Sequence, residues 1–201
     1  MRTKVILSEE EKIIIGNTDF FIVKKEIISK VQLLFGELAH DKVLNDGWRK
    51  ILINEVERIF EPKISKGENY LGLPYLILDY PRKFNEENQF AVRSFFWWGK
   101  YFATYLLISG SDLEKFLPKV LANFSLLNEK EFFISTNDDR WIHSVDSDYF
   151  TSTKNISKEE LETTIRKVGY LKIASLFPLN DFENAFEYFL AKHLFFQKLL
   201  S

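Results

Sequence analysis

The chain has 201 residues, 46% apolar and 28% charged, with 27 basic against 29 acidic side chains for a formal net charge of −2. That composition excludes a disordered or fibrous chain, and so balanced a charge gives no bulk attraction to nucleic acid or an anionic membrane. There is no cysteine, which excludes disulfides, thiolate metal sites and a cysteine nucleophile.

The length fits one domain over residues 1–201. The unusual component is aromatic: 20 Phe, 8 Tyr and 4 Trp make up 16% of the chain. A Phe-lined cavity is one reading. A well-filled core is the competing one, favoured because 20 of the 27 basic residues are Lys, a bias that rises together with Phe, Ile and Asn. The start, Met1 to Leu7, runs at once into Ser8-Glu9-Glu10-Glu11 and lacks the apolar stretch of a secretory signal. The tract from Phe95 to Ile108 is interrupted by Gly99-Lys100 and falls short of the roughly 18–20 residues that span a bilayer. The expectation is a soluble cytoplasmic protein.

Ser8, followed by three glutamates, reads as the N-cap of a first helix. Asn17 or Thr18 can cap a second, whose residues Phe20, Val23, Ile27, Val31, Leu34, Phe35 and Leu38 recur by three and four and predict one buried face. A third helix is expected from about Gly47 to Phe60, with Ile51, Leu52, Val56, Ile59 and Phe60 inward and Pro62 ending it.

The middle of the chain predicts strands. Leu73 to Pro81 is short and bracketed by prolines. Phe90–Trp98 and Tyr101–Ser109 flank Gly99-Lys100, which predicts a two-residue type II′ hairpin with Trp98 opposite Tyr101 and Trp97 opposite Phe102. A helix follows through Leu113 to Phe124, disturbed by Pro118. A second hairpin is expected from Glu131–Thr136 and Arg140–Val145, turning at Asn137-Asp138-Asp139. Ser157 with Glu160 forms a capping-box pattern ahead of a helix to about Val168, and a last helix runs from about Asn180 to Leu200. The predicted fold is α+β, a central antiparallel sheet of about four to six strands over roughly residues 61–150, packed by N- and C-terminal helices.

Candidate functional residues follow from misplaced charge. Arg93 lies inside an apolar strand, where an unpaired cation costs several kcal/mol. Asp79 on the preceding strand is a partner for it, and the alternative is an anion-gripping guanidinium. Lys66 and Gly67 lie in a stretch that could cradle phosphate, but it lacks the glycine count and spacing of a phosphate-binding loop, and a solvated connection is the favoured reading. Four carboxylates and His143 between Asn137 and Asp148 suggest metal or acid–base chemistry. The hairpin turn explains Asp138 and Asp139 without either, and no metal site is assigned. His40 and His193 read as structural, the latter as a cation suited to the end of its helix. Trp97, Trp98 and Trp141 could form a stacking platform or sit in sheet core.

No hydrolase elbow, zinc motif or dinucleotide fingerprint occurs. The reading is therefore a non-catalytic binding protein for a small ligand or protein partner, with no cofactor, no nucleic acid and no membrane, and a homodimer open to it. The alternative is an enzyme acting on an anionic small molecule, with Arg82, Arg93 and Arg140 holding the anion and His143 or Asp79 as acid or base. An assembly subunit is a third reading, which predicts an exposed apolar patch.

Overall fold

A computed structural model describes residues 5–53, 57–146 and 148–201. Residues 1–4, Val56 and Ser147, which the sequence reading uses, lie outside them.

Three helices open the described chain: α1 (Glu9–Ile15), α2 (Thr18–His40) and α3 (Lys42–Ile51). Ser8 and Glu11 make the reciprocal capping box of α1, and the Asn17 side chain accepts from the Phe20 amide to start α2. The buried face of α2 begins only at Val31, so Phe20 and Val23, expected inward, are exposed. The third helix starts earlier than Gly47, capped by Asp41, and gives way to a short 3-10 turn at Glu57–Phe60.

Four consecutive antiparallel strands follow, β1 (Lys63–Tyr70), β2 (Leu73–Phe84), β3 (Gln89–Trp97) and β4 (Tyr101–Ser109). The helix α4 (Ser111–Ala122), with Pro118 inside it, and the short α5 (Phe124–Asn128) lead to β5 (Phe133–Ser135) and β6 (Phe150–Ser152). The capping box at Ser157 and Glu160 then starts α6 (Lys158–Val168), left-handed Gly169 ends it, and β7 (Tyr170–Phe177) precedes α7 (Ala185–Leu199). The sheet has seven strands in the order β1-β2-β3-β4-β7-β5-β6, rather than four to six.

Three strand assignments change. The stretch around Lys66 is a strand and not a phosphate-holding loop; a Cβ at Gly67 would lie 2.4 Å from the Tyr75 ring, so the glycine serves packing. The first hairpin turns through Trp98, Gly99 and Lys100, with Gly99 at φ 70°. Its register is therefore Trp97 opposite Tyr101 and Phe96 opposite Phe102, one residue from the two-residue prediction. The second hairpin does not form. β5 pairs with β6 and β7, and Arg140–Val145 is irregular chain.

Alternation along the strands separates two faces. Leu76, Leu78, Phe90, Val92, Phe96, Phe102, Leu106, Leu171 and Ile173 join the main core, where α2, α4 and α7 pack on the sheet and α3 packs on α7. Ile77, Phe95, Trp97, Tyr101, Tyr105 and Ala174 form a second cluster on the opposite face, joined by Val145 from the irregular chain. No helix among the described residues is long and apolar enough to cross a membrane.

Candidate functional site

The second face carries polar residues among its aromatics. Asp79 on β2 is the register partner of Arg93 on β3, and Arg93 faces Tyr105 on β4. Two residues from Ala174, which pairs with Tyr105, Lys172 stands on the same face of β7. Residues 137–146 lie over this row, and three tyrosines pin them. The Tyr70 hydroxyl accepts from the amides of His143 (2.6 Å) and Ser144 (3.1 Å). Tyr101 donates to the His143 carbonyl at 3.2 Å, and Tyr105 donates to the same oxygen. Lys172 Nζ donates to the carbonyls of Arg140 (2.8 Å) and Ile142. Irregular backbone would otherwise leave those groups unpaired against the sheet.

Arg93 grips Asp79 with two parallel bonds, Nε to Oδ1 at 2.7 Å and Nη2 to Oδ2 at 2.9 Å. Its Nη1 reaches His143 Nε2 at 2.6 Å. Arg140 sends Nη1 to Gln89 Oε1 (2.9 Å) and Ser109 Oγ (3.3 Å), with its guanidinium 5.4 Å from the Tyr170 ring centre. Arg93, Arg140, Lys172 and His143 line one enclosed cavity of about 10 Å³. That is room for a group the size of a water molecule. Phe84, which also lines it, packs on exposed Trp141 with ring centres 6.0 Å apart.

Three cations thus share a cavity whose lining holds no carboxylate among the described residues; Asp79 is taken by Arg93, and Asp139 acts on Lys172 without forming a salt bridge. Among the described residues neither Arg140 nor Lys172 forms a salt bridge. Lys172 is 1% exposed. Burial, then the Arg93 charge, lowers its pKa to about 7, with Asp139 opposing. Tyr105 and Phe150 present ring faces to the ammonium at 5.0 and 5.7 Å. Burial, and then the charges of Lys172 and Arg93, hold the His143 imidazole well below its ordinary pKa. A buried cation without a carboxylate is the costly state, and an anion entering the cavity would relieve it.

The predicted residues divide. Arg93, Arg140 and His143 meet at the cavity, Asp79 braces Arg93, and Trp141 lies 5.9 Å from the Arg93 guanidinium. Arg82 bonds the Glu61 carbonyl and does not line the cavity. Lys66 is exposed beside a separate groove, Trp97 is core with its indole donating to the Tyr70 carbonyl, and Trp98 lines a groove on the helical face. His193 is not a helix-end cation: it is buried against Ser94, and desolvation lowers its pKa to about 3. Lys172 escaped the sequence reading, although Leu171 and Ile173 flank it and, like Arg93, it sits in a mostly apolar run. The test of a charge inside an apolar strand finds both.

No family model matches this chain, and no curated protein or solved structure matches it either.

Proposed function

We propose that this chain is a non-catalytic binding protein whose ligand is a small oxyanion, a carboxylate or phosphate group received by Arg140, Lys172 and Arg93. The observation that carries the reading is the shared cavity, with three cations around it, no carboxylate in its lining among the described residues, and Asp79 taken by Arg93. Hydrogen bonds from Arg140 to described residues leave from Nη1 alone, so its Nε and Nη2 donors are available to a planar oxyanion. The cavity as it stands admits a group the size of a water molecule, so a carboxylate or phosphate enters only as Phe84, 38% exposed at its rim, and the covering segment give way.

Binding is favoured over turnover because the acid–base candidates are occupied. His143 uses Nδ1 on the Trp141 carbonyl and Nε2 on Arg93, while both Asp79 oxygens accept from Arg93. His143 has no free lone pair or proton to exchange with a substrate, and Asp79 is buried with each oxygen bonded to the Arg93 fork. A cytoplasmic setting belongs to the same reading and is consistent with a chain that uses no disulfide.

The test is a thermal-shift series with chloride, formate, acetate, phosphate and sulfate on wild type and Lys172→Met. A ligand at 100 times its Kd adds about 2.7 kcal/mol of stability. One of these anions should raise the midpoint of the wild type and leave the variant unmoved. A flat series in the wild type, or equal shifts in both proteins, contradicts the assignment.

A further inference from the structure

Among the described contacts, the arm formed by α1 and the first turns of α2 touches the rest of the chain only at its foot, where Phe20 meets Trp98 and Lys24 pairs with Glu68. α1 buries nothing. Val5, Ile6, Leu7, Ile13, Ile14, Ile15, Phe20, Phe21, Ile22 and Val23 are between 42% and 88% exposed. Phe20 to Val23 are four successive residues of one helix, so they bare apolar surface on every side of it. A helix that is apolar all round is normally buried. Isolated exposed apolar residues need no explanation, but a contiguous set does.

We infer that this arm is the interface of a homodimer, in which two arms lie antiparallel about a twofold axis near Phe20. Two observations select a second copy of the chain as the occupant. The first is area. The ten side chains present on the order of 1,000 Å² per copy over all sides of the arm, so a partner that covers most of it approaches the roughly 800 Å² per partner of a standard stable interface. The second is charge. Residues 9–12 carry three glutamates against one lysine, and residues 25–30 carry exposed Lys25 and Lys30 against Glu26, Lys24 being paired with Glu68 of its own chain. The two segments are therefore −2 and +1. Antiparallel pairing sets the acidic segment of each copy beside the basic segment of the other, whereas parallel pairing sets like against like.

The same register brings Ile13 to Ile15 of the second copy to the foot of the arm. There a groove of about 410 Å³ opens between Ile27, Phe96, Trp98, Leu179 and Phe182. Phe20 already touches Trp98 edge-on, with ring centres 6.3 Å apart, so the arm surface and groove are continuous. Lys30 and Glu183 rim the groove. The acidic start of the second arm answers Lys30. This inference is independent of the anion pocket, which lies on the other face of the sheet.

Sedimentation velocity on the full chain across about 1–100 µM, with circular dichroism to confirm folding, is the experiment. The wild type should run as a dimer of twice 23.8 kDa. Phe21→Glu with Ile13→Glu should weaken it at least tenfold. If that pair fails to fold, Lys25→Glu with Lys30→Glu is the second test, since both lysines are exposed. This charge reversal should weaken the dimer at low salt, and mixing it with Glu9→Lys, Glu10→Lys, Glu11→Lys protein should restore a heterodimer. A monomeric wild type overturns the inference, including one that binds neutral phosphatidylcholine vesicles through the arm. So does a dimer indifferent to both sets of substitutions.

Discussion

The Nη1 of Arg93 donates to Nε2 of His143 at 2.6 Å, and this contact settles the state of the imidazole. A guanidinium can only donate, so Nε2 must hold a lone pair. On the other side of the ring the Trp141 carbonyl can only accept, so Nδ1 must carry the hydrogen. His143 is thus the neutral Nδ1–H tautomer, and a second proton would set N–H against N–H. Arg93 in turn is oriented by Asp79, so a chain of three side chains runs from β2 across β3 to the covering segment.

Loss of Arg93 should therefore cost more than loss of one hydrogen bond. Arg93→Ala strands Asp79, whose side chain is 8% exposed, without its partner. Removing one member of a buried pair costs about 3–5 kcal/mol, which for a chain of this length is a fall of roughly 6–20 °C in Tm. The double replacement Arg93→Met with Asp79→Leu should recover most of it, because the stranded charge is gone. A Tm loss in the double variant as large as in Arg93→Ala contradicts the pairing as the source of the cost.

Acid should destabilise the protein before its carboxylates titrate. An unfolded imidazole takes a proton near pH 6.5, while burial holds His193 to about 3 and His143 well below its ordinary value. Below pH 6.5 the unfolded state therefore binds more protons than the folded one. Stability falls as pH drops, by up to about 1.4 kcal/mol per pH unit for each histidine. Urea unfolding at pH 7, 6 and 5 should give His193→Gln about half the wild-type slope. An unchanged slope would show that His193 is not held neutral.

Tyr70 anchors the covering segment to the sheet. Tyr70→Phe leaves the His143 and Ser144 amides without the hydroxyl that accepts from them, at a cost of about 1–3 kcal/mol for each buried donor left unpaired. Hydrogen exchange should accelerate at these two amides and leave the β3 and β4 amides unchanged. Uniform acceleration across the sheet would mean that Tyr70 supports the whole fold and not this segment.

Local signals found the buried part of α2, the Phe90–Ser109 ribbon, the Ser8 cap and the Ser157 capping box, because each is fixed by cap chemistry or face periodicity. They missed β1, whose Lys63, Lys66, Glu68 and Asn69 are polar because the strand is an edge and mostly exposed. They also left β7 unassigned: Tyr170–Phe177 is nearly continuous apolar sequence, covered on both faces, and so shows no alternation. The one-residue slip at Trp97 followed from reading Gly-Lys as the whole turn, when Trp98 belongs to it. Arg140 and His143 were found as residues but placed on a strand. What holds them is irregular chain tied by Tyr70, Tyr101, Tyr105 and Lys172, and contacts of that sequence separation leave no local pattern.

The account rests on Lys172 and its neighbours receiving an anion, and calorimetric titration of formate, ionised throughout, at pH 6 and pH 9 tests this most directly. The ammonium titrates at about 7, so the binding-competent fraction at pH 9 is about one in a hundred, and affinity should fall between tenfold and about a hundredfold from pH 6 to pH 9. Binding at pH 6 should accordingly vanish in Lys172→Met. Formate affinity that is equal at the two pH values, or that survives in the folded Lys172→Met protein, would contradict the claim that this lysine receives the ligand.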